Sequence, residues 1–316
     1  MFDFDTAPYL ELENYPSPKD GKFIYIPMND EKKIRLAYWK HDNKSGRCSG
    51  TVLLQQGHNE FIEKYFETIQ ELIDRNFNVI CFDWRGQGMS DRMIEDNNKQ
   101  YIEDFSIHCE DIEHIIRNII KKKFPDPLIG IGHSMGGHLL LLTQEKNQKE
   151  FKSIFLSAPM LGFKYEKFLF LLSNLMYFFG KKTDYFPFSN PNMGKETPFY
   201  KNGLTSDHER YKRTQKLVRN NPSIRLWGIT NAWVHSVKKS LNKIRKKNWQ
   251  KKILTPITII NPIEDKVVYS KKTQNLYSSF IKCEIYNIED CEHEILMEKD
   301  NLRSIFWKLF DDHIKN

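Results

Sequence analysis

The pentapeptide Gly132-His133-Ser134-Met135-Gly136 holds a serine with a glycine two positions to either side. A short apolar run, Pro127 to Ile131, precedes it and reads as a buried strand, and a helix-like segment, His138 to Gln144, follows. Strand, sharp turn, serine and helix form the context in which a strained serine presents its hydroxyl as a nucleophile. Gly132 and Gly136 lack Cβ atoms, and Gly137 is equally small, so strand and helix can pack closely around that serine. The pentapeptide alone recurs by chance in roughly one chain in ten of this length. The flanking elements therefore carry the inference.

A serine hydroxyl needs a base to take its proton, and the base needs a third group to fix its tautomer. In a sheet of this kind the acid follows the serine in the chain and the histidine comes last. After the candidate strand Ile257–Ile260 comes Asn261-Pro262-Ile263-Glu264-Asp265; Asp265 is the expected acid, and Glu264 is its nearest substitute. After Glu284–Ile288 comes Glu289-Asp290-Cys291-Glu292-His293, with a helix expected from Glu294; His293 is the expected base. The oxyanion of a tetrahedral intermediate needs two backbone N–H donors aimed at one point. Met135, next after the serine, is one expected donor. His58 is the other, from the loop Gln56-Gly57-His58-Asn59, where Gly57 lets the backbone approach a substrate. The His58 side chain is read as a pocket wall or surface group, with a second base as the alternative. His133 and His138 flank the turn but cannot replace His293. His108 and His114 lie in a charged helical segment and are read as solvated. In Asp83-Trp84-Arg85-Gly86-Gln87-Gly88-Met89-Ser90, a turn beneath the site, Asp83 and Arg85 are expected to pair or to hydrogen-bond the backbone. No metal-ligand cluster is visible, and no cofactor is expected.

Eight short runs read as strands: Phe23–Ile26, Ile34–Trp39, Thr51–Gln55, Asn78–Phe82, Leu128–Ile131, Ser153–Leu156, Ile257–Ile260 and Glu284–Ile288. Helical spacing separates most of them, as in Phe61, Tyr65, Phe66, Ile69, Leu72 and Ile73, and in Ile112, Ile115, Ile116 and Ile119. The alternation predicts a mostly parallel α/β sheet covered on both faces, with the first two strands as an antiparallel edge. From residue 161 to 250 it stops, and an aromatic run (Phe168 to Phe179), a loop rich in Asn, Pro and Phe (185–200) and further helical segments take over. An insertion here would cover the carboxyl ends of the strands, where such sheets keep their sites. The expected organisation is a core from 1–160 and 251–316 with an inserted helical cap at 161–250. Phe163, Phe168, Phe178 and Phe179 are candidate acyl-binding residues in that cap.

At 316 residues, with 40% hydrophobic and 28% charged residues, the chain fits a folded globular protein rather than a disordered one. Its five cysteines are scattered, without a CxxC pair, so neither a disulfide framework nor a zinc site is suggested; Cys81 and Cys283 sit in apolar runs and are expected to be buried. No signal peptide is visible and no apolar run is long enough for a membrane span, which makes the cytoplasm the expected compartment. Basic residues concentrate in Lys238, Lys239, Lys243, Arg245, Lys246, Lys247, Lys251 and Lys252, near Trp249. A solvated helix face is the first reading of this stretch and peripheral contact with anionic membrane the second. No nucleic-acid-binding motif accompanies it, and nucleic acid is not an expected partner.

Together, Gly57 with Glu60 and Tyr65, the Asp83-x-Arg85-Gly86-x-Gly88-x-Ser90 turn, Gly132 through Gly137, Ser157-Ala158-Pro159-Met160 and His293-Glu294-Ile295-Leu296-Met297-Glu298 resemble the α/β-hydrolases of the lysophospholipase and monoacylglycerol lipase group. The resemblance runs from about residue 20 to 315, and Leu204-Thr205-Ser206-Asp207 through Arg210 is similar to cap segments of bacterial lysophospholipase-like members. It implies the α/β-hydrolase fold, with a mostly parallel eight-stranded sheet, and cofactor-free ester hydrolysis on single-chain lipids or monoglycerides. Four positions depart from the group: Gln56 and Gln87 stand where histidines are usual, Pro262 where a glycine commonly precedes the acid, and Lys64 where monoglyceride lipases usually carry arginine. A peptidase or small-ester esterase of the same fold, and a catalytically silent binding protein, are the alternatives.

Overall fold

The computed structural model describes residues 4–41, 46–187, 189 and 197–315; residues 188 and 190–196 of the Asn-, Pro- and Phe-rich loop lie outside them. All eight expected strands form, with ends differing by one or two residues: β1 (Lys22–Pro27), β2 (Lys33–Trp39), β3 (Gly50–Gln55), β4 (Phe77–Phe82), β5 (Leu128–His133), β6 (Ser153–Ser157), β7 (Ile257–Pro262) and β8 (Cys283–Ile288). They make one sheet in the order β1-β2-β4-β3-β5-β6-β7-β8. β1 and β2 pair antiparallel, as does β2 with β4, and every later pairing is parallel. β3 to β7 are buried along their whole length, and their near-continuous apolar sequences follow from having both faces covered. β8, at the edge, alternates exposed and partly buried residues instead, and Cys283 is accordingly only half-buried.

Two apolar cores lie on opposite faces of the sheet. On one, Ile112 and Ile115 of α2 (Phe105–Ile115), Leu139 and Leu140 of α3 (Met135–Asn147) and Val237 and Leu241 of α6 (Asn231–Ile244) pack against strand residues such as Leu53, Ile80 and Leu156. On the other, Ile69 and Leu72 of α1 (Phe66–Asp74) join Phe306 and Phe310 of α8 (Asp300–Lys315) over Val52, Val79 and Phe155. Asp104 caps α2 by accepting the Ser106 N–H. Between β6 and β7 the chain forms α4 (Glu166–Phe178), α5 (His208–Asn220) and α6, and α4 packs on α6 with Ser173 Oγ donating to the Asn231 carbonyl. A short helix, α7 (Ser270–Tyr277), links β7 to β8. Among the described residues, no helix is long and apolar enough to cross a membrane.

In the turn after β4, the second of the two expectations, backbone hydrogen bonding, holds for Asp83 and the first, pairing with Arg85, does not. Asp83 and Arg85 do not bond each other: Arg85 binds Asp30 and Asp111, whereas Asp83 binds Arg35 of β2 and the N–H groups of Ile62 and Met89. Arg35 is fully buried and also grips both carboxylate oxygens of Glu63, at 2.6 and 2.8 Å. The Asp83 carboxylate fills the space beside Gly88, where a Cβ would sit 2.2 Å from it and where φ is +52°. Only glycine suits that position. His108 is likewise not solvated but buried against Trp84 and Phe105, while His114 is half-buried.

Removing one partner of a buried ion pair leaves the others uncompensated, at a cost of about 3–5 kcal/mol. Arg35→Leu strands Glu63 and Asp83 together. It is expected to lower the unfolding free energy from urea titration by an amount in that range, with an unchanged m-value; an unfolding free energy within about 0.5 kcal/mol of wild type would contradict the structural role given to this cluster.

Candidate active site

Parallel pairing brings the carboxyl ends of β3, β5, β6 and β7 to one edge: Gln55 lies beside Gly132, His133 beside Ser157 and Ser157 beside Ile260. The segments after β3, β5 and β7 carry His58, Ser134 and Asp265, and the loop after β8 brings His293 to the same edge. Ser134 follows β5 directly and has φ +49° and ψ −114°, a conformation that costs a non-glycine residue about 1–3 kcal/mol. Its neighbours hold it there. The Ser134 N–H donates to the Ser157 carbonyl, and its own carbonyl accepts from the N–H groups of His138 and Met160, each at 3.0 Å. A Cβ on Gly136 would lie 2.5 Å from the Gln55 carbonyl oxygen, and one on Gly132 would lie 2.7 Å from the Gly137 backbone. Both glycines are thus required by close approach, as the sequence led us to expect.

Ser134, His293 and Asp265 come together in one hydrogen-bonded series. His293 Nε2 lies 2.9 Å from Ser134 Oγ, and Nδ1 lies 2.6 Å from Asp265 Oδ2. With Nδ1 protonated, the imidazole donates to Asp265 and is left to accept from the serine hydroxyl. The second Asp265 oxygen accepts the N–H groups of Val267 and Val268, which fixes the carboxylate. Glu264, the alternative acid, is exposed and accepts from the Asp290 N–H, away from His293. Pro262 closes β7 and accepts from Ser270 Oγ, leaving the loop to Asp265 intact. The expected helix from Glu294 is instead a single 3-10 turn, Ile295–Met297, before α8 begins at Asp300.

The two expected oxyanion donors flank the serine. The Met135 N–H opens α3 and so has no intrahelical acceptor. The Gly57–Asn59 backbone is held by two side chains: Glu60 accepts from the Gly57 N–H, and Gln87 accepts from the Asn59 N–H. Gln56 turns its amide to Asp83. The His58 ring lies tilted against Trp233, at 5.0 Å between centroids, and its Nε2 has no hydrogen-bond partner. Burial pushes it down to about 4, so it is a neutral wall of the site.

Above Ser134 and His293 lies a cavity of about 270 Å³. Phe61, Leu204, Val218, Val267 and Met297 give it apolar surface, and α5 adds Tyr211, Thr214 and Gln215. The candidate acyl-binding phenylalanines are elsewhere. Phe168, Phe178 and Phe179 are 57%, 83% and 64% exposed on the outside of α4 and just beyond it, Phe163 is half-buried, and none of the four lines this cavity. Aromatic density marked the right segment but not its inward face, which α5 supplies through a polar helix. The buried ions beside the site were also missed: Lys64 bonds Glu60 and Glu294, each at 2.6 Å. The four-residue spacing of Glu60 and Lys64 was the available signal.

Residues 46–300 match the family described as Serine aminopeptidase, S33 (Hydrolase_4). A Haemophilus influenzae protein named "Probable lysophospholipase L2" is 26% identical over 288 residues, covering 87% of each chain. Lysophospholipase L2 of Escherichia coli K12 is 24% identical over 301 residues, 90% of this chain and 84% of its own. Among solved structures, a soluble variant of monoglyceride lipase from Saccharomyces cerevisiae superposes with a TM-score of 0.72 at 20% identity, covering 94% of this chain and 96% of its own. A carboxyl esterase from Bacillus coagulans gives the same TM-score at 17% identity, covering 93% and 97%.

Four histidines, His108, His133 and His138 in the interior and the half-buried His58, stay neutral in the folded chain. Burial pushes His58 and His138 down to about 4 and His108 and His133 to about 3, from an ordinary 6.5. The unfolded chain therefore takes up protons below about 6.5 that the native chain refuses, and stability present above that pH is lost as pH falls toward 4. Carboxyls raised by burial oppose this as the pH falls toward their folded values: Asp111, pushed up to about 6, and Asp83, Glu71 and Glu294, pushed up in the same direction. Between pH 7.5 and 5.5 each histidine contributes a loss of about 1 kcal/mol. The urea midpoint is expected to fall over that interval, and a midpoint that rises would contradict these assignments.

Proposed function

The chain belongs to the serine aminopeptidase S33 (Hydrolase_4) family, with the α/β-hydrolase fold, and from that premise we propose that it hydrolyses carboxylic esters of single-chain lipids of the lysophospholipid or monoglyceride type. The observation that carries this reading is the hydrogen-bonded series Ser134–His293–Asp265 beneath a partly apolar cavity. Ser134 Oγ attacks the ester carbonyl as its proton passes to His293 Nε2. The N–H groups of His58 and Met135 receive the oxyanion. Collapse of the intermediate breaks the bond to the alcohol, which leaves with the proton from His293, and the acyl group stays on Ser134. Water then attacks that ester, His293 takes its proton and returns one to Ser134, and the fatty acid departs. Asp265 keeps the tautomer and stabilises the imidazolium.

A peptidase reading is less well supported. An amino-terminal ammonium needs a carboxylate to receive it, and among the described residues lining the cavity the carboxylates are Glu60 and Glu294, both already on Lys64.

Membrane contact belongs to the same reading, through α4 rather than the basic stretch 238–252. Trp249 is buried, and Lys239, Lys243 and Arg245 bind Asp104, Glu145 and Glu166. By contrast, Phe168, Leu171, Leu175 and Phe178 recur at helical spacing on α4 and are all exposed, with Phe179 beyond them and Lys164, Lys167 and Lys181 alongside. An apolar helix face rimmed by lysines fits an anionic lipid surface.

Ser134→Ala is expected to lower turnover of a soluble short-chain ester by several orders of magnitude without unfolding the chain, and His293→Ala added to it should cost little more. Asp265→Asn should depress kcat strongly with KM nearly unchanged, and Glu264→Gln should be mild; the reverse ranking would move the acid to Glu264. With lipid esters, selectivity should rise with chain length until the cavity is full, each methylene contributing about 0.8 kcal/mol before losses. Leu171→Ser with Phe178→Ser should weaken binding to anionic vesicles while short-ester hydrolysis stays within about twofold. Equal binding of neutral and anionic vesicles would contradict the role given to the lysines.

A further inference from the structure

Beside the catalytic serine lies a buried cluster, at the wall of the cavity, that the reaction does not itself use. Lys64 Nζ lies 2.6 Å from Glu60 Oε1 and 2.6 Å from Glu294 Oε1. Glu60 turns its other oxygen to the Gly57 N–H and the Tyr65 hydroxyl. Gly57 immediately precedes His58, whose N–H is an oxyanion donor, and Glu294 immediately follows His293, the base. His133 completes the cluster, with its ring 4.7 Å from that of His293.

Ligand atoms of Glu60, His133 and Glu294 lie within 4.8 Å of one another, a spacing that a metal ion could use. The Lys64 ammonium already sits on both carboxylates, so the cluster has its cation. Burial alone would drive these groups toward neutrality, yet the ion pairs prevail at two of them. Lys64 is held above its ordinary range by Glu294 and Glu60 despite burial, and Glu60 is held down at about 2 by Lys64, His133 and its hydrogen bonds. Glu294 is pushed up by burial, with Lys64 pulling the other way.

We propose that Lys64 is a positioning residue: by bridging Glu60 and Glu294 it locks the oxyanion loop to the base loop, so that the His58 N–H and His293 hold a fixed geometry about Ser134. No other ion pair among the described residues joins these two loops. The inference rests on the ester-hydrolase reading above. Lys64 also acts through space. The groups around His293 are Asp265 from the loop after β7, Glu294 on its own loop, Glu60 and Lys64 from the segment after β3, His133 at the end of β5, and the outlying Lys266–Glu292 pair. Removing the Lys64 cation makes the neighbouring imidazole easier to protonate, and removing the Glu294 anion makes it harder.

The test is the pH profile of p-nitrophenyl butyrate hydrolysis by the full chain, with melting curves for each variant. Lys64→Met should lower kcat about 100-fold with KM changed less than about threefold, and should move the acid limb to higher pH. Glu294→Gln, nearly isosteric and leaving the Lys64–Glu60 pair in place, should lower kcat about tenfold and move the acid limb to lower pH. Lys64→Arg should restore most of kcat with the acid limb where wild type has it. Displacements in opposite directions are a signature that a merely structural role would not produce. Glu294→Gln decides alone if Lys64→Met does not fold: wild-type kcat and an unmoved acid limb would overturn the inference. A wild-type chain that hydrolyses no ester would instead overturn the functional reading, whereas an active wild type with unmoved variants overturns only the coupling.

Discussion

The left-handed backbone at Ser134 is the constraint around which the rest of the structure is arranged. A residue with a side chain does not rest at φ +49° unless its surroundings over-determine it. Here they do so from three sides. β6 supplies the Ser157 carbonyl, α3 the His138 N–H and the turn after β6 the Met160 N–H. The approach of α3 to the β3 loop leaves no room for a Cβ at Gly136, so helix, strand and loop are pressed together at this corner. The resulting turn lifts the hydroxyl above the sheet, where the loops after β7 and β8 deliver Asp265 and His293.

Beneath that corner the molecule uses ions where one might expect only hydrocarbon. Arg35, Asp83 and Glu63 tie β2 to the turn after β4 and to the 3-10 turn Ile62–Tyr65. Lys64, in the same 3-10 turn, carries the linkage on to Glu60 and Glu294. A buried ion pair is seldom the cheapest way to gain stability, but its directionality fixes which loop sits against which. Flexible loops at strand ends need that kind of definition if two donors and a base are to converge on one atom. On the side of α5 a second network does similar work. Glu67 receives Arg210, Arg213 and Arg303, and so joins α1, α5 and α8.

Much of this was legible in the sequence because it is written in local chemistry. The buried strands announce themselves as short β-branched and aromatic runs, and the serine turn by its glycines and its position between strand and helix. Asp265 and His293 could be located because each follows a strand at the edge where parallel sheets gather their loops. What stayed hidden depends on partners distant in sequence. Of the two expectations for the turn after β4, Asp83 does bond the backbone, at the Met89 and Ile62 N–H groups, but Arg85 goes to Asp30 and Asp111, which are brought to it only by folding. His108 sits in a charged stretch, yet its face of α2 turns inward. Phe168 and Phe178 of α4 were expected inside on hydrophobicity alone, whereas the helix buries only Phe170 and shows these two outward, and the polar α5 faces the cavity. Periodicity gives the faces of a helix but not which one looks at the site.

The most direct measurement is covalent trapping of the nucleophile. The full chain treated with a fluorophosphonate should gain one adduct in its intact mass, and peptide mapping should place it on Ser134. His293→Ala should label far more slowly and Ser134→Ala not at all. An adduct on another residue, or equal labelling of Ser134→Ala, would contradict the assignment of Ser134 as the reacting group.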